Sequence, residues 1–156
     1  LLGFDQEAWL DAQLSASQAR GARWRLIGQQ VMMAQLSFTR GATYLNPDQW
    51  DGYRPARERL YRHLADNYID NVVVMTGDIH SSWAHDLTAD PWTADYAAGR
   101  GIVGVEFVTP AVSSPGPLGE FPTPQQLAPL QFLPVLAPHT KYAELVQRGY
   151  VLLDVT

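Results

Sequence analysis

The sequence predicts a mixed α/β (α+β) fold in which helices cover a sheet and the chemistry gathers at the strand ends. Three observations carry that reading. Apolar residues recur at helical spacing in two stretches. Short apolar runs bounded by turn residues appear in four others, and the two kinds of segment interleave along the chain. The 156 residues and 46% hydrophobic content suit one domain with a substantial core.

Taken in order, residues 5–17 predict the first helix, with Ala8, Trp9, Ala12 and Leu14 at roughly helical spacing. Asp5 is placed to cap it, and Gln6 and Glu7 stand in the first turn, where negative charge is favourable. After a Gly-Ala-Arg turn, residues 24–31 are apolar and partly β-branched and predict a buried strand. Residues 36–53 hold Gly, Asn, Pro and Asp with Tyr44, Trp50 and Tyr53, a long loop of the kind that is usually functional or mobile. Pro55 suits the first turn of a second helix running to about residue 67, with Leu60, Tyr61 and Leu64 facing inward. Residues 71–76 predict the next strand, followed by a polar, Trp-bearing loop and then a strand over 101–109. Residues 110–140 are Pro-rich and irregular with a short helix at 124–132, and residues 149–156 predict the final strand.

Composition excludes several classes. The net charge of −5 is mild and the basic residues are scattered, which argues against a nucleic-acid-binding surface. No apolar run reaches the roughly 20 residues that span a bilayer. With no cysteine, disulfides and thiolate metal sites within this chain are ruled out. The opening LLGFDQEAWL lacks the basic and long apolar regions of a signal peptide and reads like the interior of a longer protein.

The stretch VVVMTGDIHSSW, residues 72–83, is the most informative. An apolar strand ends in Gly77, which allows a sharp bend, and Asp78 and His80 follow two residues apart. If the segment stays extended, both side chains point the same way while Ile79 turns into the core. A carboxylate oxygen beside an imidazole nitrogen suits cations of differing hardness. Taken alone, the short motif also reads as turn chemistry, with Asp78 capping and His80 simply packed. Nearby lie His85, Asp86 and, after Pro138, His139; Glu106 on an apolar strand is either paired inside or facing an adjacent site. Arg57 offers a planar fork for phosphate or else lies on the solvated helix face with Arg59 and Arg62.

Read together, LLGFDQEAWL, ARWRLIGQQVMMA, NPDQWDGYRPARERL, NVVVMTGDIHSSWAHDL, VGVEFVTPAVSS and PHTKYAELVQRGYVLLDVT resemble, in this order, the C-terminal half of the alkaline phosphatase D (PhoD-type) family. The resemblance implies a calcineurin-like metallophosphoesterase sandwich, with residues 1–156 its C-terminal portion and the N-terminal half absent. It implies metal-dependent hydrolysis of phosphate mono- and diesters in the periplasm or outside the cell, on small-molecule substrates. Asp78 would hold a hard ion such as Ca²⁺ and His80 an iron, Fe³⁺; other divalent metals also suit these donors. Trp50, Asp51 and Tyr53 would stand near the pocket rim as substrate-binding residues with Arg57 just behind, and His139 would serve a catalytic pocket role. Where the family has Asn before the Pro-His pair, this chain has Ala137. The remaining family ligands, among them a cysteine, a tyrosine and further carboxylates, belong to the preceding half, so the isolated chain is expected to be inactive. The alternatives are a non-catalytic truncated module and another metallohydrolase that reuses GDxH.

Overall fold

The structure, a computed structural model, describes residues 2–37, 46–119 and 121–156. Part of the long predicted loop, including Tyr44, lies outside the described residues. Helix α1 spans Phe4–Ala19, strand β1 Arg25–Val31, a 3₁₀ turn Trp50–Tyr53, and helix α2 Arg54–Asp66. Strands β2 (Val72–Gly77) and β3 (Ser82–Thr88) follow, then the short helix α3 (Ala94–Ala97) and β4 (Ile102–Val108). The Pro-rich region holds α4 (Pro124–Leu127), a 3₁₀ stretch (Ala128–Phe132) and α5 (Leu133–Leu136), and β5 is Thr140–Glu144.

The five strands form one sheet in the order β1-β2-β4-β3-β5. Strands β1, β2 and β4 are parallel, so Val31, Gly77 and Val108 end at the same edge, while β3 runs antiparallel to both β4 and β5. In open parallel sheets the carboxyl edge is where ligands bind. Helix α2 turns Leu60, Tyr61 and Leu64 toward the sheet, where they join Leu14, Val72, Val74 and Leu87 in one apolar cluster. A second cluster of Met32, Leu36, Trp83, Val108 and Leu133, with Ile79 and Leu145 beside it, lies nearer the carboxyl edge. Burying each such side chain stabilises the fold by about 1.5–3 kcal/mol. Residues on the other side of β1 are more open, with Leu26 exposed.

Three expectations need correction. Gly3, rather than Asp5, occupies the N-cap of α1, and Asp5 lies inside the first turn. The predicted polar loop after β2 is strand β3: Trp83, His85 and Leu87 alternate inward, and Ala84 and Asp86 between them face the other side. Residues 149–156 are apolar and partly β-branched but form no strand, because among the described residues no ladder partner lies beside them. They are tied instead by single bonds: Gly149 N–H donates to Ala111 O at 3.2 Å, and Trp24 Nε1–H to Thr156 O at 3.2 Å.

Candidate functional site

Strand β2 delivers the Gly-Asp-Ile-His turn to the carboxyl edge, and the turn is not extended. Asp78 has φ +72° and His80 φ +56°, both in the left-handed region that non-glycine residues adopt at a cost of about 1–2 kcal/mol. Ile79 N–H donates to Gly77 O at 2.9 Å, across a single residue. That bond with positive φ at Asp78 marks the rarer, strained form of the γ-turn. The expected pleat, with both side chains displayed by an extended backbone, is therefore corrected. So is the role of Gly77, which is not among the residues at positive φ, and at which an added Cβ would meet Thr109 Cγ2 at an ordinary 3.4 Å.

Neighbours hold this turn in place. Ile79 packs against the second core cluster, as anticipated. Ser81 is fully buried, accepting from Trp83 Nε1–H at 2.7 Å and donating to Ile79 O at 3.3 Å. Gly116 lies so close that an added Cβ would sit 2.2 Å from Leu145 O and 3.3 Å from His80 O, so this approach requires glycine. Asp78 and His80 themselves are exposed. Asp78 Oδ2 accepts from Gln49 Nε2 at 2.8 Å, and the His80 ring has no hydrogen-bond partner among the described residues. Tyr68 and Asn71 also have positive φ; at 78 and 80 it falls on two exposed donor side chains, one carboxylate and one imidazole, at the carboxyl edge, which fits a cation-binding turn. Two donors do not make a complete shell, and no group of three potential ligands occurs among the described residues.

Beside the turn, residues 32–37 leave the sheet after β1, and side chains satisfy their backbone. Met32 N–H donates to Gln49 Oε1 at 2.5 Å, Met33 N–H to Glu106 Oε1 at 2.7 Å, and Ala34 N–H to Glu106 Oε2 at 2.8 Å. Leu36 N–H donates to Asp51 Oδ2 at 2.8 Å. Arg57 Nη1 donates to Met33 O at 3.1 Å and to Asp51 Oδ1 at 2.6 Å. His139 Nε2 bonds Gln35 O at 2.7 Å; a carbonyl only accepts, so this nitrogen carries the proton. Glu106 is thus paired inside. Burial pushes its carboxyl up from the usual range, against the pull of the Met33, Ala34 and Thr76 donors and the Arg57 charge.

These contacts relocate most of the expected pocket residues. Trp50 and Asp51 are 1% and 2% exposed, inside the molecule and not on a rim. Arg57 is 4% exposed, so it neither lies on the solvated face nor offers a free fork to phosphate. It belongs to the same helical stripe as Leu60, Tyr61 and Leu64. Tyr53 is 42% exposed and alone among the four reaches the surface substantially. The Trp50–Tyr53 turn is tight: an added Cβ at Gly52 would fall 1.8 Å from Pro47 O.

His139 also lies in the interior. Its neighbour Thr140 pairs with His85, three residues along β3 from Ser82, or roughly 10 Å from the carboxyl edge. His85 and His139 stack with ring centroids 5.6 Å apart, and Trp83 also stacks on His85 at 5.6 Å. His85 Nδ1 meets Thr140 Oγ1 at 3.2 Å, while His85 Nε2 and His139 Nδ1 are buried without partners among the described residues. Burial and the nearby His139 lower the His85 pKa to about 3; burial likewise lowers His139, opposed by its bond to Gln35. Both rings are neutral packing elements at ordinary pH. Sequence reading missed Gln49 as the partner of Asp78, and its only signal was its place in the NPDQWDGY block.

The sequence model of the family described as PhoD-like phosphatase matches residues 1–156. Alkaline phosphatase D of Bacillus subtilis (strain 168) is 38% identical over 117 residues, covering 74% of this chain and 19% of that protein. The solved structure of PhoD superposes with a TM-score of 0.77 at 33% identity, covering 96% of this chain and 26% of that one. The chain thus spans about a fifth to a quarter of the relatives it matches. The expected metallophosphoesterase-like fold is met by this superposition. Matched by the family's sequence model from end to end, the chain belongs to the PhoD-like phosphatase family.

Proposed function

We propose that this chain forms part of a metal-dependent phosphoesterase in which Asp78 and His80 hold cations at the carboxyl edge of the sheet. The observation that carries this is the turn itself: both residues have positive φ and exposed side chains, the His80 ring has no hydrogen-bond partner among the described residues, and Asp78 gives only Oδ2 to Gln49. The Asp78 oxygen suits a hard ion such as Ca²⁺, and the His80 nitrogen suits Fe³⁺. When bound, such cations supply neutralisation of phosphoryl charge and Lewis-acid activation of water.

The chain's own residues contribute orientation. Gln49 directs Asp78, and Glu106, Asp51 and Arg57 fix residues 32–37 beside the turn. Tyr53, the exposed aromatic of the Trp50–Tyr53 turn, would be the residue of the WDGY block to meet substrate directly. Trp50, Asp51 and Arg57, all buried, act on substrate only indirectly, by fixing the backbone beside the turn, and His139 does the same through its bond to the Gln35 carbonyl. The substrates are small-molecule phosphate mono- or diesters, and the site of action is the periplasm or the exterior, which cell fractionation checks.

The 156-residue chain by itself should show negligible turnover, because its described residues hold no set of three ligands. Assay of a chromogenic phosphate diester with calcium and ferric iron tests both statements. Activity is expected from the protein expressed at the full length its gene encodes, lost in its His80→Ala variant, and absent from the isolated chain. Undiminished turnover in that variant contradicts the proposal.

A further inference from the structure

We infer that Gln49 is a positioning residue for the Asp78 carboxylate, tying a cation donor to the clamped exit of β1. The inference rests on the metal reading of Asp78 given above. Gln49 is 2% exposed, yet its amide reaches an exposed partner. Nε2 donates to Asp78 Oδ2 at 2.8 Å while Oε1 accepts the Met32 N–H. The partners dictate which way the amide faces, since a backbone N–H only donates and a carboxylate only accepts. A reversed amide would set oxygen against oxygen at one end and N–H against N–H at the other. Each end therefore locks the other.

The backbone around Gln49 is held as well. Its N–H donates to Asn46 O at 3.2 Å, its carbonyl accepts Gly52 N–H at 3.1 Å, and Trp50 N–H donates to Met32 O at 3.2 Å. A buried, doubly anchored amide thus aims a carboxylate that sits on a strained, exposed turn. Oδ2 is committed to Gln49, which leaves Oδ1 without a protein partner among the described residues and directed for an ion. Outer-shell hydrogen bonds of this kind fix the direction of a first-shell donor. Glu106, Asp51, Arg57 and His139 grip the same segment, but among the described residues only Gln49 bonds both the segment and Asp78.

Calcium titration calorimetry on the protein expressed at the full length its gene encodes tests this. Q49L should lower calcium affinity about 10- to 100-fold, the range for a lost outer-shell partner. Q49N should do the same, because its amide is one methylene too short to span both partners; it keeps an acceptor near Met32 N–H and with it the fold. L64A, in the apolar cluster under α2 and away from the turn, should lower the melting temperature while leaving calcium affinity at the wild-type value. Wild-type affinity in a folded Q49L or Q49N protein overturns the inference, as does an equal loss of affinity in L64A. D78N separates the two layers. If D78N binds calcium like wild type, the metal reading fails; if it loses calcium while Q49N retains it, only the role of Gln49 falls.

Discussion

The turn at residues 77–80 and the segment at residues 32–37 lie side by side and use polar side chains in opposite ways. In the turn, Asp78 and His80 are exposed on a backbone that costs free energy to hold. Along the segment, Glu106, Asp51 and Arg57 are buried and every one of them is spent on backbone N–H or C=O groups or on one another. A charged residue within a family-like block is therefore no guide to ligand contact until its partners are counted. The buried set fixes backbone, the exposed pair stays at the surface, and Gln49 joins the two regions.

The contrast can be broken by substitution, starting where the effect is largest. Arg57→Ala leaves Asp51 charged and buried without its partner, and should lower folding stability by about 3–5 kcal/mol in urea denaturation. A loss below about 1 kcal/mol, the level of an exposed pair, would place this ion pair at the surface after all. Glu106→Gln turns one acceptor into a donor against a buried N–H and should cost about 1–3 kcal/mol by the same measurement.

Acid should act through the stacked histidines. The unfolded chain binds a proton on His85 near the ordinary value of 6.5, whereas the folded protein refuses it until about 3. Stability is therefore fully present above that ordinary value and falls as pH drops through the window, by up to about 1.4 kcal/mol per pH unit for this histidine. His139, lowered in the same direction, adds to the slope. Denaturation midpoints between pH 7 and 4 should show this slope, and His85→Phe should flatten it; an unchanged slope in that variant would remove His85 from the account.

The smallest stability effect belongs to the turn, and its sign is the informative part. His80→Gly removes a left-handed non-glycine residue whose ring has no hydrogen-bond partner among the described residues, and should stabilise the metal-free protein by up to about 1 kcal/mol. The same change should abolish phosphodiester turnover in the full-length protein. Destabilisation with retained turnover would make His80 a structural residue.

Much of the scaffold was readable because periodicity reports burial. The stripe at 60, 61 and 64 oriented α2, and extended one turn back it also places Arg57 inside, a signal outweighed by the assumption that arginine faces water. Strand β3 was hidden because its inward positions carry Trp83, His85 and Leu87, and a histidine in an apolar register interrupts the alternation to the eye. Residues 149–156 taught the converse, since strand propensity without a neighbouring ladder gives no strand. Sequence singled out Asp78 and His80 as candidates but did not foresee their backbone. A Gly before the pair suggested that glycine makes the bend, whereas the left-handed positions are the donors themselves. The Gln49–Asp78 bond joins residues 29 apart, and no local pattern announces it.

The central claim is that the exposed, strained pair is kept for cations while the buried polar residues are not. Anomalous diffraction at the calcium and iron signals, from crystals of the full-length protein grown with both metals, tests it most directly. Ions are expected on Asp78 Oδ1 and on the His80 ring, with Gln49 still on Asp78 Oδ2 and no ion among Glu106, Asp51 and Arg57. Ions seated in that buried network, or Asp78 and His80 left facing solvent alone, would contradict it.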